Sequence, residues 1–122
     1  MSGSRQVLVI DDNPDIAELV CAAAESVKMN CMTATTVDAF LGALMPETDL
    51  ILMDMKMPEM NGRELMALLA SRHCQAGIVL MSGSGQGVLS EAQTYGLGLG
   101  LNVVGSLAKP FRVAELIAML QR

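Results

Sequence analysis

Four short, predominantly apolar runs, each of strand length and each stopped by a chemically active side chain, constrain this chain more than any other feature. VLVI (residues 7–10) runs into Asp11 and Asp12, LILM (50–53) into Asp54, IVLM (78–81) into Ser82, and VVGSLA (103–108) into Lys109. Runs of this length without polar alternation read as strands buried on both faces, as in a parallel sheet. In open α/β sheets, ligands and chemistry occupy the crevice outside the carboxyl ends of the strands. Three carboxylates, a hydroxyl and an ammonium are therefore expected along one edge of one sheet. Taken singly, Asp12 or Asn13 could cap a helix and Asp54 could end a strand in a turn. Coincidence at four strand ends favours a site.

Helical spacing fills the intervals. Asn13 and Pro14 make a cap and a first turn, followed by Ile16, Leu19, Val20, Ala23, Ala24 and Val27 on one face. Thr36 caps a second helix carrying Val37, Phe40, Leu41 and Leu44, ended by Pro46. After the turn at Pro58, Asn61 and Gly62, residues 63–72 place Leu65, Leu68 and Leu69 inward. Residues 88–99 make a poor helix because Gly96 and Gly98 interrupt it. Val113, Leu116, Ile117 and Leu120 line the last one. The remaining strand, residues 31–34, is mixed in polarity and reads as a sheet edge. Five strands alternating with five helices give a single α/β domain with a parallel sheet and right-handed crossovers, residues 1–6 being a short lead. Aromatics are limited to Phe40, Tyr95 and Phe111, so the core is aliphatic, with eleven methionines as adaptable filler.

The charge balance excludes some functions. A net charge of −5 argues against direct nucleic-acid binding, which needs a basic face to release counterions. No apolar window reaches the length of a membrane span and no signal-peptide pattern opens the chain, so a cytoplasmic location with no membrane insertion is the default. Cys21, Cys31 and Cys74 are odd in number and lack CxxC spacing, and read as reduced thiols. His73 beside Cys74 has no second histidine to complete a metal site, so Arg72 and His73 read as cations at a helix end. GSGQG (83–87) lacks phosphate-loop spacing, and neither Ser82 nor Ser84 sits in GxSxG. Three carboxylates in one crevice repel one another unless a cation intervenes. Hard oxygen donors suit Mg²⁺.

The acidic pair Asp11 and Asp12, the segment DMKMPEMNG from Asp54, Ser82 in MSG and Lys109 in KPF, in this order, resemble the receiver domain of two-component response regulators across essentially all 122 residues. The resemblance implies a (βα)5 doubly wound, flavodoxin-like (CheY-like) sheet of order 2-1-3-4-5. It implies phosphorylation on Asp54 by a sensor histidine kinase or phosphotransfer protein. Mg²⁺ would be held by Asp12 and Asp54 directly, by Asp11 through water and by the backbone carbonyl of Lys56. Lys109 and Ser82 would engage the phosphate, and an output domain or protein would read the surface bounded by Ser84 and Leu107. A monomer or weak dimer acting as a phosphoacceptor, not a turnover enzyme, is expected, with no output domain in these residues and a cis bond before Pro110. Lys56 and Ser84 stand where receivers vary phosphate lifetime. Two departures stand out. Ser106 occupies the position where most receivers carry a switch aromatic, and the Gly-rich segment between Ser82 and Lys109 is longer than usual. LGLNVVGSLAKPF is similar to receivers preceding cyclic-di-GMP phosphodiesterase domains. The competing readings are a phosphorylation-independent interaction module, for which Ser106 speaks, and a dehalogenase-type phosphatase, whose DxD after the first strand is missing here.

Overall fold

The structure, a computed structural model, describes residues 4–121. Its elements alternate throughout: β1 (Gln6–Ile10), α1 (Pro14–Ser26), β2 (Asn30–Ala34), α2 (Val37–Ala43), β3 (Leu50–Asp54), α3 (Gly62–Ser71), β4 (Gly77–Ser82), α4 (Gln86–Gly98), β5 (Asn102–Ala108) and α5 (Val113–Leu120). All five strands are parallel, in the order β2-β1-β3-β4-β5. The expected topology is therefore present, with β2 at an edge. Gln6, expected in the lead, is the first residue of β1. Among the described residues no helix is long and apolar enough to cross a membrane.

The pleat divides the core into two layers. Leu8, Ile10, Ile51, Met53, Ile78 and Leu80 face α2, α3 and α4, packing with Phe40, Leu65, Met66 and Leu89. Val7, Val9, Leu50, Leu52, Val79 and Met81 face α1 and α5, packing with Val20, Ala24, Leu116 and Leu120. Every residue of β3 is buried, which is why its sequence shows no polar alternation. A bulge between Ile78 and Val79 shifts the β4–β5 register, so that Leu80 opposes Ser106 and Ser82 opposes Ala108. Neighbouring residues in a parallel pair share a face, so Ser106 lies on the α4 side of the sheet, as Leu80 does.

The caps at Asn13 and Thr36 follow their sequence signals, and Asn61, expected in a turn, caps α3 as well. The Asn13 side chain accepts from Asp15 N–H and that of Thr36 from Ala39 N–H. Asn61 and Glu64 form a reciprocal capping box. Arg72 caps the end of α3, and His73 follows with φ 57°, in the left-handed region that histidine enters more readily than most residues. Two expected inward residues are exposed: Leu19 at 39% and Val113 at 46%. The buried stripe of α1 runs through the smaller Ala17, Val20, Cys21 and Ala24, which leaves Leu19 at its margin. Val113 stands in the first turn of α5, whose buried residues are Leu116 and Leu120. The cysteine reading is also corrected, because Cys21 and Cys31 form a disulfide, Cα–Cα 5.3 Å, and only Cys74 is free. Spacing alone carried no sign of this, since the contact depends on α1 packing over β2.

The α4 helix forms despite its glycines because Leu89, Ala92 and Gly96 are buried. A Cβ on Gly96 would lie 2.7 Å from Val103 Cγ2 and 2.8 Å from Met66 Sδ, whereas one on Gly98 would meet nothing within 4 Å. Replacing either by alanine gains up to about 1 kcal/mol of helix propensity. At Gly96 the overpacking, about 1–3 kcal/mol, outweighs that gain. Chemical denaturation should therefore rank Gly98→Ala above wild type and Gly96→Ala below it. Equal stabilisation of both would contradict the close docking of α4.

Candidate functional site

Each candidate side chain is delivered by a strand end. Asp11 follows β1 and is fixed by three bonds: its N–H donates to the Ala34 carbonyl at 3.1 Å, its Oδ1 accepts from Asn13 N–H at 2.9 Å, and its Oδ2 accepts from Lys109 Nζ at 2.7 Å. Its side chain is wholly buried. Asp12, next in the chain, is exposed, and Asp54 closes β3 with 5% of its surface accessible. Oxygens of the three carboxylates lie within 4.8 Å of one another. Lys109 reaches across from the end of β5, its Nζ also 3.4 Å from Asp54 Oδ1. The bond between Lys109 and Pro110 is cis, as the resemblance implied.

Two loops wall the site. Gly62 N–H donates to the Met55 carbonyl at 2.9 Å, and Lys56 pairs with Asn61 in an isolated antiparallel bridge, closing the β3–α3 loop on itself. A Glu59 carboxylate oxygen accepts from Val37 N–H at 3.4 Å, linking this loop to the start of α2. That contact was not foreseen; a carboxylate in a loop carries no sign of which helix start it will meet. On the other side, Ser82 is buried and its Oγ accepts from Ser84 N–H at 3.0 Å, while its carbonyl accepts from Lys109 N–H at 2.8 Å. A cavity of about 240 Å³ opens between the loops, lined in part by Lys56, Arg63, Ser82, Ser84 and Val88. Behind it the Arg63 guanidinium sits 4.8 Å from the Tyr95 ring centroid, joining α3 to α4. Ser106 is half-buried on the same face as Ser82 but has no part in the acidic cluster. A larger cavity, about 450 Å³ among Leu44, Arg72 and Ala76, lies at the opposite ends of the strands and holds no such cluster.

The electrostatics are unbalanced. Burial, reinforced by the charge of Asp11, raises the pKa of Asp54 against the opposing pull of Lys109. Burial works to lower that of Lys109, yet its hydrogen bond to Asp11 and the charges of Asp54 and Asp11 outweigh this and raise it. Three carboxylates against one ammonium leave a deficit of two charges, that of one divalent cation. An all-oxygen donor set with one exposed member fits a hard ion that keeps several waters.

The family model described as response regulator receiver domain matches residues 7–121. The transcriptional regulatory protein CpxR of Escherichia coli (strain K12) is 29% identical over 117 residues, covering 96% of this chain and 48% of CpxR. The transcriptional regulatory protein FixJ of Azorhizobium caulinodans is 32% identical over 123 residues, covering 99% of this chain and 56% of FixJ. The chain thus spans about half the length of the curated relatives it matches. A response regulator from Colwellia psychrerythraea superposes with a TM-score of 0.83 at 32% identity, covering 96% of this chain and 94% of that one. A CheY-like receiver domain protein from Methanospirillum hungatei shares the fold at a TM-score of 0.81 and 20% identity, covering 98% and 92% of the two chains.

Proposed function

This chain belongs to the response regulator receiver domains of two-component signalling, and from that premise we propose that Asp54 is its phosphoacceptor and that Lys109 and Ser82 read the phosphate. The observation that carries this is the convergence of Asp54 with Asp11, Asp12 and Lys109 at the carboxyl edge of the sheet. Oxygens of Asp11, Asp12 and Asp54, with the Lys56 carbonyl, would hold Mg²⁺. When bound, the ion supplies charge neutralisation for the transferring phosphoryl oxygens.

The chain's own residues do the rest. An Asp54 carboxylate oxygen attacks the donor phosphorus in line. The new O–P bond forms as the donor's P–N or P–O bond breaks, and the departing group keeps the electron pair. Lys109 exchanges its contacts with Asp11 and Asp54 for a phosphoryl oxygen. The Ser82 oxygen already accepts from Ser84 N–H, so its own O–H is the donor left for the phosphate. That contact draws on the β4–α4 loop and hence on the surface bounded by Ser84 and Leu107. Ser106 has no ring to follow Ser82, so the loop and Lys109 carry the signal. Upstream, the donor is a histidine kinase or phosphotransfer protein; downstream, the reader is an output domain or partner protein.

Incubating the protein with a small acyl phosphate and measuring intact mass, with Mg²⁺ and with chelator, tests this. A single phosphoryl adduct should form only with the metal, and borohydride trapping should map it to the peptide containing Asp54. No adduct from either an acyl phosphate or a phosphohistidine donor would instead favour an interaction module that takes no phosphate.

A further inference from the structure

We propose that Cys21 and Cys31 are a reversible thiol–disulfide site that fastens the edge strand β2 to α1, in addition to the phosphoacceptor chemistry. The two cysteines come from adjacent elements of one layer, Cys21 on the inner face of α1 and Cys31 on β2. Their Cα atoms are 5.3 Å apart, a separation that a disulfide spans without backbone movement. Cys74 packs in the layer on the opposite side of the sheet, so it cannot exchange with either of them inside one molecule.

The strand that is fastened is an edge of the sheet. Only Ala34 of β2 is buried, and the strand has a single neighbour, β1. An edge strand of this kind opens more readily than the centre of a sheet. The bridge closes a loop through the turn at Lys28, which adopts φ 71°. It also joins two elements that each hold Asp11: α1 begins where Asn13 N–H meets Asp11 Oδ1, and β2 ends at the Ala34 carbonyl that accepts Asp11 N–H.

The pair is also unequally accessible. Cys21 is 9% exposed, whereas Cys31 is half-buried at the edge. A reductant thiolate therefore attacks Cys31 Sγ. The S–S bond breaks with its electron pair going to Cys21 Sγ, which takes a proton. A second thiol then releases Cys31 and leaves the reductant as a disulfide. Oxidation runs the same exchange backwards, with a small-molecule disulfide as the oxidant. Disulfides that persist or cycle in reducing compartments are characteristically of this redox-responsive kind.

The test uses the whole chain in glutathione buffers of graded redox ratio, quenched with acid, alkylated under denaturing conditions and weighed. One alkyl group, on Cys74, is expected at the oxidising end and three at the reducing end, with a single transition between them. Cys74→Ser should lower both counts by one and leave the midpoint unchanged. The oxidised form should melt about 10 °C higher and its β2 amides should exchange more slowly. The double variant Cys21→Ser, Cys31→Ser should match the reduced wild type under every condition. Three reactive thiols at every ratio, or identical melting and exchange in the two forms, would overturn the proposal. None of these readouts depends on whether Asp54 takes phosphate.

Discussion

The Asp54→Asn protein should take up no phosphoryl group from an acyl phosphate, and should nevertheless melt above wild type at neutral pH without metal. The first outcome follows from the chemistry, because an amide oxygen offers no anionic nucleophile at the end of β3. The second follows from the imbalance of the site. Asp54 is nearly buried, close to the wholly buried Asp11, and its pKa is raised chiefly by burial. A carboxyl group whose folded pKa lies above its unfolded one favours folding most when protonated, and that contribution is lost as pH rises through the folded value. At neutral pH the ionised Asp54 thus opposes folding. Removing its charge should stabilise the metal-free domain by on the order of 1–2 kcal/mol, the loss of the 3.4 Å Lys109 contact offsetting part of the gain. The advantage should vanish below the ordinary carboxylate range, where wild type is protonated as well. Thermal melts from pH 3 to 8 check this, and a variant less stable than wild type at every pH would show that the Asp54 charge does not oppose folding. Mg²⁺ should narrow the gap, since it binds the folded wild type with its full set of oxygens.

Lys109→Met should have the opposite effect on stability and a comparable one on signalling. The Asp11 side chain is wholly buried and its Oδ2 has Lys109 Nζ as partner at 2.7 Å. Removing the ammonium leaves two crowded carboxylates without compensation. Breaking one side of a buried pair costs about 3 kcal/mol, a fall of roughly 10 °C in Tm for a domain of this size. Combining Lys109→Met with Asp11→Asn should recover much of that loss, because the uncompensated charge then disappears with its partner. Additive losses in the double variant would place the role of Lys109 in packing, through its methylene stem, instead. In the phosphorylation assay the Lys109→Met protein should still form the adduct, since Asp54 remains. It should lose the accompanying change in exchange rates over the β4–α4 loop.

Much of this architecture was legible in the chain because burial on two faces writes itself into sequence as uninterrupted apolar runs. The ends of β1, β3, β4 and β5 could be placed from where Asp11, Asp54, Ser82 and Lys109 interrupt those runs. Caps at Asn13 and Thr36 were equally readable, since a short polar side chain before an apolar period has a local cause, whereas Asn61, read as a turn residue, also caps α3. Tertiary contacts without a local cause were not readable. The Cys21–Cys31 bond depends on how α1 lies over β2, and the outward turn of Leu19 depends on which part of a broad apolar stripe meets the sheet. Gly96 looked like an interruption of α4 and proves to be where that helix packs too closely on Met66 and Val103 to admit a side chain. The Glu59 contact with α2 belongs to the same class.

The Arg63–Tyr95 stack has an optical consequence. Tyr95 is the single tyrosine and the chain contains no tryptophan, so emission excited near 280 nm, about where phenol absorbs, originates from one ring on α4. A guanidinium held 4.8 Å from that ring sits against its π face, where any slide of α4 along α3 alters the ring's polarity and collisional surroundings. The domain therefore carries a native, label-free probe at the junction between α3 and α4. Its intensity and anisotropy can be followed in real time while phosphoryl donors, divalent cations or thiols are added.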